Sequence, residues 1–288
     1  MRILVAVDGS DESFHALRAL GHLTRAEKMV VLNALDAPRS AYPMGGEPRT
    51  MEDFSLSLQE VMREDSERLL ERVASLLPMN TGPVSKQIET GTPAEAILAA
   101  AEKEKAGLIV MGSRGLGPVK ELLLGSVSHR VVTHASCPTL VVNRPMRSLR
   151  RILMAVQGPE DAAAFTKFLA AKPFKEPVEI TVVTVIPAAQ PLFPAGFAKV
   201  DELIEKTVVG ARAFVEEVAS KLTAMQHNAR GYILMGTPAL AILQEASASD
   251  PDLILMGSHG RRGVTRFLLG SVSHTVLHRS PCPLLIVR

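Results

Sequence analysis

The segment Met111–Ser126, MGSRGLGPVKELLLGS, interrupts a largely apolar pattern with Gly112, Gly115 and Gly125. A glycine inside a helix costs about 1 kcal/mol relative to alanine, so these glycines argue against one continuous helix. Gly112 directly follows the apolar run LIVM, and Ser126 precedes a second helical pattern. The segment is therefore predicted to run from the end of a strand, through a loop, to the start of a helix.

This segment recurs in the second half of the chain. Residues Met111–Val142 align without a gap with Met256–Val287, and about half of the positions are identical. The stretches RILVAVDGS and RILMAVQGP, which open the two halves, match as well. A repeat that fills half of the chain is too long for a solenoid unit. The sequence predicts two copies of one domain, residues 1–146 and 147–288, joined near NRPMRSLRR.

Short apolar strands alternate with helical patterns in the first copy. The predicted strands are Ile3–Val7, Met29–Leu35, Val84–Glu89, Leu108–Met111 and Thr139–Val142. The predicted helices are Ser13–Arg25, Met51–Leu77, Ala94–Lys105 and Ser126–His134. Alternating strands and helices with near-continuous apolar strands predict a parallel sheet covered by helices on both faces. The segments Ala37–Arg49 and Pro187–Ala198, rich in proline with glycine or alanine, are predicted loops.

The composition is that of an ordinary soluble globular protein, with 47% hydrophobic and 22% charged residues among 288. A net charge of +2 gives no argument for nucleic acid or a membrane surface as a partner. There is no run of 18 apolar residues, and the opening MRILVAVDGS is interpreted as a strand rather than a signal peptide. Cys137 and Cys282 fit a reducing compartment. We therefore expect a cytoplasmic protein.

The glycines of the quoted segment suggest a ligand site. In open parallel sheets, ligands bind beyond the carboxyl ends of the strands, where the strand order reverses. Gly112 lies at such an end, where glycine would allow a positive φ and the close approach of a ligand. Ser126 is predicted to cap a helix whose N-terminal amides and dipole favour phosphate. On the residues alone, the pattern fits either an anion cradle or ordinary turn chemistry.

The spacing G-x2-G-x9-G-S at Gly112, Gly115, Gly125 and Ser126, with Asp8 ending the first strand, resembles the universal stress protein family. The resemblance covers both halves, and the tandem form is itself known in that family. It implies for each half an open twisted five-stranded parallel sheet of strand order 3-2-1-4-5, Rossmann-like and similar to the adenine nucleotide alpha hydrolases. It also implies that the halves pair about a pseudo-twofold axis through their last strands. The whole chain is expected to form a homodimer.

The resemblance implies ATP as the ligand, because family members with the full glycine motif are similar to ATP binders. Magnesium would sit on the phosphates, with no protein side chain assigned to it. The implied contacts in the first copy are Ala6, Val7 and Asp8 beside the adenosine, Ala34 at the adenine, Met111 and Gly112 at the ribose, and Gly115, Gly125, Ser126 and Val127 at the phosphates. The corresponding residues of the second copy are Gly257, Gly260, Gly270, Ser271 and Val272.

The second copy departs from the motif at its first strand and in its loop. Gln157 stands where the first copy has Asp8. Arg261 and Arg262 stand where the first copy has Leu116 and Gly117, and they either hold phosphate without a metal or form a solvated surface pair. We expect the first copy to bind ATP, and the second to bind it weakly, differently or not at all.

Three histidines lie in the helices that follow the Gly-Ser pairs. His274 and His278 have the i, i+4 spacing of a metal-chelating pair, but the sequence pattern supplies no third ligand. His129 and His274 occupy matching positions of the repeat and are expected to face either an interface or the phosphates. A surface or interface role is therefore favoured over a metal site.

Three functions are compatible with these features. A nucleotide-dependent regulatory or stress-response protein is favoured, and the stress role is implied by the resemblance alone. The alternatives are a slow ATPase and an interaction module that binds no nucleotide. The sequence has no GxxxxGK[ST] motif, and Asp8 is the only acidic candidate near the crevice, so no catalytic residue is assigned.

Overall fold

The computed structural model describes residues 1–36, 48–79, 81–116, 124–187, 197–258 and 269–288. The elements of the first repeat are β1 (Arg2–Ala6), α1 (Asp11–Ala19), β2 (Lys28–Leu35), α2 (Pro48–Leu76), β3 (Val84–Thr90), α3 (Pro93–Lys103), β4 (Leu108–Gly112), α4 (Ser126–His134) and β5 (Thr139–Val142). Those of the second repeat are β6 (Arg151–Ala155), α5 (Pro159–Ala170), β7 (Glu179–Ile186), α6 (Phe197–Ala224), β8 (Asn228–Met235), α7 (Pro238–Ser249), β9 (Leu253–Gly257), α8 (Ser271–Arg279) and β10 (Leu284–Val287). The cores of the two predicted loops, 37–47 and 188–196, lie outside the described residues.

The ten strands form one sheet in the order β3-β2-β1-β4-β5-β10-β9-β6-β7-β8. Every pairing within a repeat is parallel, so each repeat has the strand order 3-2-1-4-5, and this prediction is confirmed. The two repeats meet through β5 and β10, which pair antiparallel with Leu140 opposite Leu285. The last strands therefore join the repeats, as the resemblance implied.

Helices cover both faces of this sheet. Successive strand residues point to opposite faces, so Val5 packs with α1 and α2 while Leu4 packs with α3 and α4. The core under α1, α2, α5 and α6 is continuous across both repeats. No helix within the described ranges combines the length and the hydropathy that a membrane crossing needs.

Reciprocal hydrogen bonds reinforce the junction between the repeats. Arg288 donates to the carbonyl oxygens of Val132 (2.6 Å) and Thr133 (2.7 Å) near the C-terminal end of α4. Asn143, at the equivalent position of the first repeat, donates to the carbonyl oxygen of Ser280 (2.8 Å), just after α8. Carbonyl groups at a helix C-terminus lack intrahelical partners, so each repeat satisfies the end of the other's last helix.

The connection between the repeats is anchored by Asp252, which precedes β9. Its Oδ2 accepts from the backbone amides of Arg150 (2.8 Å) and Arg151 (2.9 Å), and its Oδ1 accepts from the hydroxyl of Ser148 (2.8 Å). Burial alone would raise the pKa of this carboxyl group. The three hydrogen bonds outweigh burial and hold the pKa below its usual value.

The buried strand pair at the junction is expected to limit the stability of the whole chain. Leu285 is 2% exposed, so Leu285→Ala should lower the free energy of unfolding by about 2–5 kcal/mol. Urea unfolding measures the change, and Leu240→Ala, at a site 47% exposed, should stay within about 0.5 kcal/mol of wild type. Equal losses in the two variants would contradict the role given to the junction.

The Asp252 anchor should make stability depend on pH. Asp252→Asn removes the charge and is expected to cost about 1–2 kcal/mol at pH 7, because hydrogen bonds to a charged group are stronger than neutral ones. The folded-state pKa is lowered, so the charged carboxylate stabilises the fold above the unfolded pKa of about 3.9. The difference between wild type and variant should shrink as the pH falls through the folded pKa. Asp250→Asn, which changes a surface ion pair, serves as the matched control in the same urea titrations.

Candidate functional site

A cavity of about 760 Å³ opens beyond the carboxyl ends of β1 and β4. The chain proceeds from β1 to β2 and β3 on one side, and from β4 to β5 on the other, so the strand order reverses at this point. Such a reversal is where open α/β sheets place their ligands. The ten residues that the sequence analysis assigned to the first site all line this cavity: Ala6, Val7, Asp8, Ala34, Met111, Gly112, Gly115, Gly125, Ser126 and Val127.

The turn after β1 fixes the Asp8 carboxylate. Its Oδ1 accepts from the backbone amide (3.0 Å) and the hydroxyl (2.5 Å) of Ser10. Ser10 is also the N-cap of α1, and its hydroxyl oxygen accepts from the amide of Ser13. The side-chain amide of Asn33 donates to the carbonyl oxygen of Val7 (2.7 Å), which ties the end of β1 to β2. The carboxylate is therefore oriented before any ligand binds.

The loop after β4 passes directly over this carboxylate. A Cβ atom built on Gly115 would overlap Oδ2 of Asp8. A larger residue at position 115 would therefore have to displace the anchored carboxylate of Asp8. Both hydrogen bonds from Ser10 use Oδ1, and Oδ2 lies next to the loop at Gly115.

Gly112 is a packing residue, and the prediction that it adopts a positive φ is wrong. Among the described residues, the glycines with positive φ are Gly9, Gly82, Gly91 and Gly236. A Cβ atom on Gly112 would lie 2.8 Å from the carbonyl carbon of Glu12 and 2.9 Å from the amide nitrogen of Ser13. Backbone atoms cannot move aside as a flexible side chain can. The end of β4 therefore needs glycine in order to pack against α1.

Helix α4 has the predicted bounds, Ser126–His134, but its cap lies one residue earlier than predicted. Gly125 is its N-cap, and Ser126, predicted as the cap, is the first residue of the helix. The amide of Gly125 donates to the carbonyl oxygen of Ser113 (2.7 Å), and the hydroxyl of Ser128 donates to that of Gly112 (2.9 Å). These bonds fix the first turn of α4 at the end of β4. The amides of that turn have no intrahelical partners and lie at the cavity.

Sequence reasoning missed an ion pair in the cavity wall. A guanidinium nitrogen of Arg114 lies 2.7 Å from Oε1 of Glu12, and both side chains are partly buried. Arg114 occupies an unspecified position of the motif, so the spacing alone gave no reason to select it. Pro93 and Ile97 of α3 also line the cavity. The rule that ligands bind at carboxyl ends of strands could have found these two, because α3 follows β3.

The second repeat keeps the helix start that follows its fourth strand but differs in the residues at the ends of its strands. Gly270 caps α8, and Ser271 is its first residue, followed by Val272. Asp161 accepts from the amide of Gln157 (3.0 Å), and a Cβ on Gly257 would overlap the same carboxylate. Of the remaining predicted residues, three lie outside the described part of the chain: Gly260, Arg261 and Arg262.

Two further positions differ between the repeats. Leu32 pairs with Ala6 in the first repeat and Val183 pairs with Ala155 in the second, which places Val185 at the position of Ala34. Pro159 stands at the position of Ser10 and has no amide hydrogen to donate to residue 157. The second repeat therefore has a bulkier β7 side chain at this position, and the carboxylate at the end of β6 comes from Asp161 of α5 instead of residue 157.

The fold and crevice together define an α/β protein of two paired open-sheet domains, each with a helix N-terminus at its switch point. Comparison with known proteins identifies the family. The model of the universal stress protein family matches residues 1–143 and 148–288. The chain therefore belongs to the universal stress protein family and contains two such domains.

Relatives match the chain over its whole length and over single domains. Universal stress protein Rv2005c of Mycobacterium tuberculosis is 25% identical over 301 residues, which covers 99% of this chain and 96% of that protein. Universal stress protein YxiE of Bacillus subtilis is 34% identical over 145 residues, which covers 49% of this chain and 97% of that protein. The crystal structure of a universal stress protein from Archaeoglobus fulgidus superimposes with a TM-score of 0.65 at 26% identity, covering 99% of this chain and 95% of that one.

The packing role of Gly112 can be separated from ligand binding. Gly112→Ala should lower the free energy of unfolding by about 1–3 kcal/mol, because the added methyl group meets the α1 backbone. Thermal or urea unfolding without ligand measures this loss. Gly21→Ala is the matched control, since the nearest atom to a Cβ there is Cγ of Pro78 at 3.9 Å, an ordinary contact. An unchanged stability in Gly112→Ala would contradict the packing role and would favour a role for this glycine in ligand binding.

Proposed function

We propose that this chain is a cytoplasmic ATP-binding universal stress protein that acts as a nucleotide-dependent regulator in a stress response. ATP would occupy the crevice between β1 and β4 of the first repeat. The observation that carries this proposal is the convergence of three kinds of surface on one cavity: an apolar end, an oriented carboxylate and a helix N-terminus. These match the base, the sugar and the phosphates of a nucleotide.

The apolar end of the cavity suits the adenine ring. Ala6, Leu32 and Ala34 contribute from β1 and β2, and Ile97 and Met111 contribute from α3 and β4. Ala34 is small, so β2 leaves room for a flat ring between these side chains. Ligand pockets of this kind are mostly apolar, with a few placed polar groups that orient the ligand.

The polar end suits the ribose and the phosphates. Oδ2 of Asp8 can accept a hydrogen bond from a ribose hydroxyl, since the hydrogen bonds from Ser10 use Oδ1. The first turn of α4 offers unsatisfied amides, the positive end of the helix dipole and the hydroxyl of Ser126. Gly115 keeps the loop close to Asp8, which brings the sugar and phosphate positions together.

The charges around the cavity favour a metal-bound nucleotide. The described residues that line the cavity include three carboxylates, those of Asp8, Asp11 and Glu12, and a single guanidinium, that of Arg114. A bare triphosphate would be repelled by these carboxylates. Magnesium would neutralise the phosphates while keeping most of its water ligands.

The differences between the repeats support one nucleotide per chain. Gln157 replaces the anchored Asp8, and Val185 replaces the small Ala34 at the adenine end. Both changes remove a feature on which the proposed contacts depend. The second repeat would therefore act mainly as the structural partner of the first.

Cytoplasmic placement is supported by the cysteines. Cys137 and Cys282 are free thiols, and burial raises the pKa of each to about 11, so both are held as unreactive thiols. A homodimer of whole chains, with four domains, stays a prediction. Strands β3 and β8 end the sheet and are the edges on which such an assembly could form.

Calorimetric titration of magnesium-ATP into nucleotide-stripped protein tests the proposal. We expect one site per chain. Ala34→Val should weaken binding about tenfold or more, since overpacking costs about 1–3 kcal/mol and 1.4 kcal/mol is a factor of ten. Val185→Ala, the reciprocal change in the second repeat, is the matched control and should leave the affinity of the first site unchanged.

Asp8→Asn tests the charge argument in the same titration. The isosteric amide should reduce the preference for magnesium-ATP over metal-free ATP, because a negative charge near the phosphates has been removed. Two sites of equal affinity would contradict the assignment to the first repeat alone. If ATP does not bind, the remaining function is that of an interaction module without nucleotide. The glycines of the motif would then serve only the turns of the loop.

A further inference from the structure

Three histidines that are far apart in sequence meet where the two repeats join. His129 lies on α4, and His274 and His278 lie on α8. The ring centroids are 5.3 Å apart for His129 and His274, 5.8 Å for His129 and His278, and 4.4 Å for His274 and His278. The third ligand that the sequence pattern did not supply therefore comes from the other repeat.

The imidazole nitrogens of this histidine cluster lie close together. One nitrogen from each ring can be chosen so that all three lie within 4.8 Å of one another. Nε2 of His278 is buried, and no atom of the described residues gives it a hydrogen bond. A buried polar atom without a partner costs about 1–3 kcal/mol, so this nitrogen calls for a partner that the described chain does not provide.

Burial in the cluster lowers the pKa of two of its histidines. Burial, and then the neighbouring His274, lower the pKa of both His129 and His278. The lowered pKa favours the neutral imidazole, which is the form that donates a lone pair to a metal. Three protonated rings at these distances would instead repel one another.

We propose that His129, His274 and His278 form a binding site for a late first-row divalent cation, with zinc as the best fit, across the interface between the repeats. A donor set made only of imidazoles suits zinc and its neighbours rather than magnesium or calcium, which need oxygen ligands. The i, i+4 spacing of His274 and His278 is a chelating arrangement on one helix face.

The geometry requires only side-chain adjustment. Zinc–nitrogen bonds of about 2.0–2.1 Å in a tetrahedral site place the nitrogens about 3.3 Å apart. The nitrogens here lie within 4.8 Å, so binding would need the rings to turn about their χ angles and close a distance of about 1.5 Å. Three protein ligands leave a fourth position for water or another ligand. Because His129 belongs to one repeat and the other two to the second, a bound cation would clamp the repeats together.

The experiment uses the full chain without a histidine tag, treated with a chelator and freed of nucleotide, so that it does not depend on ATP binding. Zinc is titrated calorimetrically, and thermal unfolding is followed at increasing zinc concentration. We expect one zinc per chain and an unfolding temperature that rises with zinc, because a ligand bound only to the folded state stabilises it. No binding, or binding without stabilisation, would overturn the proposal.

Variants locate the site. His278→Thr installs the residue that the first repeat carries at the equivalent position, Thr133, and His129→Asn removes the ligand from the other repeat. Loss of an outer-shell partner alone weakens metal binding about 10–100-fold, so either change should cost at least about tenfold. His134→Gln, an exposed histidine at the end of α4, is the matched control and should bind zinc as wild type does.

Cobalt provides a readout on the unchanged protein, in case a variant fails to fold. Cobalt bound by three imidazoles in a tetrahedral site gives an intense visible spectrum, and zinc should displace it. Only the weak spectrum of octahedral cobalt, or zinc affinities of His278→Thr and His129→Asn equal to wild type, would show that the cluster is not the site.

Discussion

The antiparallel pairing of β5 with β10 is the contact on which the rest of the structure depends. An unpaired strand of this kind would leave a row of free backbone groups at the edge of each five-stranded sheet. Because β5 and β10 pair with each other, neither sheet keeps an unpaired edge at this side. Every residue of the two strands is at most 3% exposed. The pairing also sets the pseudo-twofold relation between the repeats, because an antiparallel pair of equivalent strands has such an axis between them.

This pairing determines where the last helix of each repeat lies. Helix α4 starts at the crevice with Ser126 and ends where Arg288 of the second repeat binds its carbonyl groups. Its nine residues span about 14 Å at 1.5 Å per residue. His129, one turn from the start, lies at the histidine cluster. One short helix therefore connects the proposed nucleotide site to the interface between the repeats.

Features that depend on one segment could be predicted from the sequence. The bounds of Ser126–His134 and Thr139–Val142 match the observed α4 and β5, because glycine, proline and apolar runs mark both ends. The parallel strand order followed from the repeat and the family resemblance. The exact cap of α4 differed by one residue, which is the usual uncertainty of helix boundaries.

Features that depend on packing between distant segments could not be predicted. The glycine at 112 is needed because α1 crosses the end of β4, and no local pattern shows that crossing. Arg114 meets Glu12, and His129 meets His278, across about a hundred residues or more of sequence. Such pairs become visible only when the topology has placed their elements side by side.

Comparison of the two repeats separates framework from function. Ser128 and Ser273 make the same hydrogen bond to the end of the fourth strand of their own repeat, so both copies keep this support. The two repeats differ at the crevice and near the pseudo-twofold axis that relates them. A dimer of identical domains duplicates every residue near its twofold axis, so its histidines there come in even numbers. A cluster of three, with His278 opposite Thr133, requires two different copies, and fusion of the domains into one chain is what permits that asymmetry.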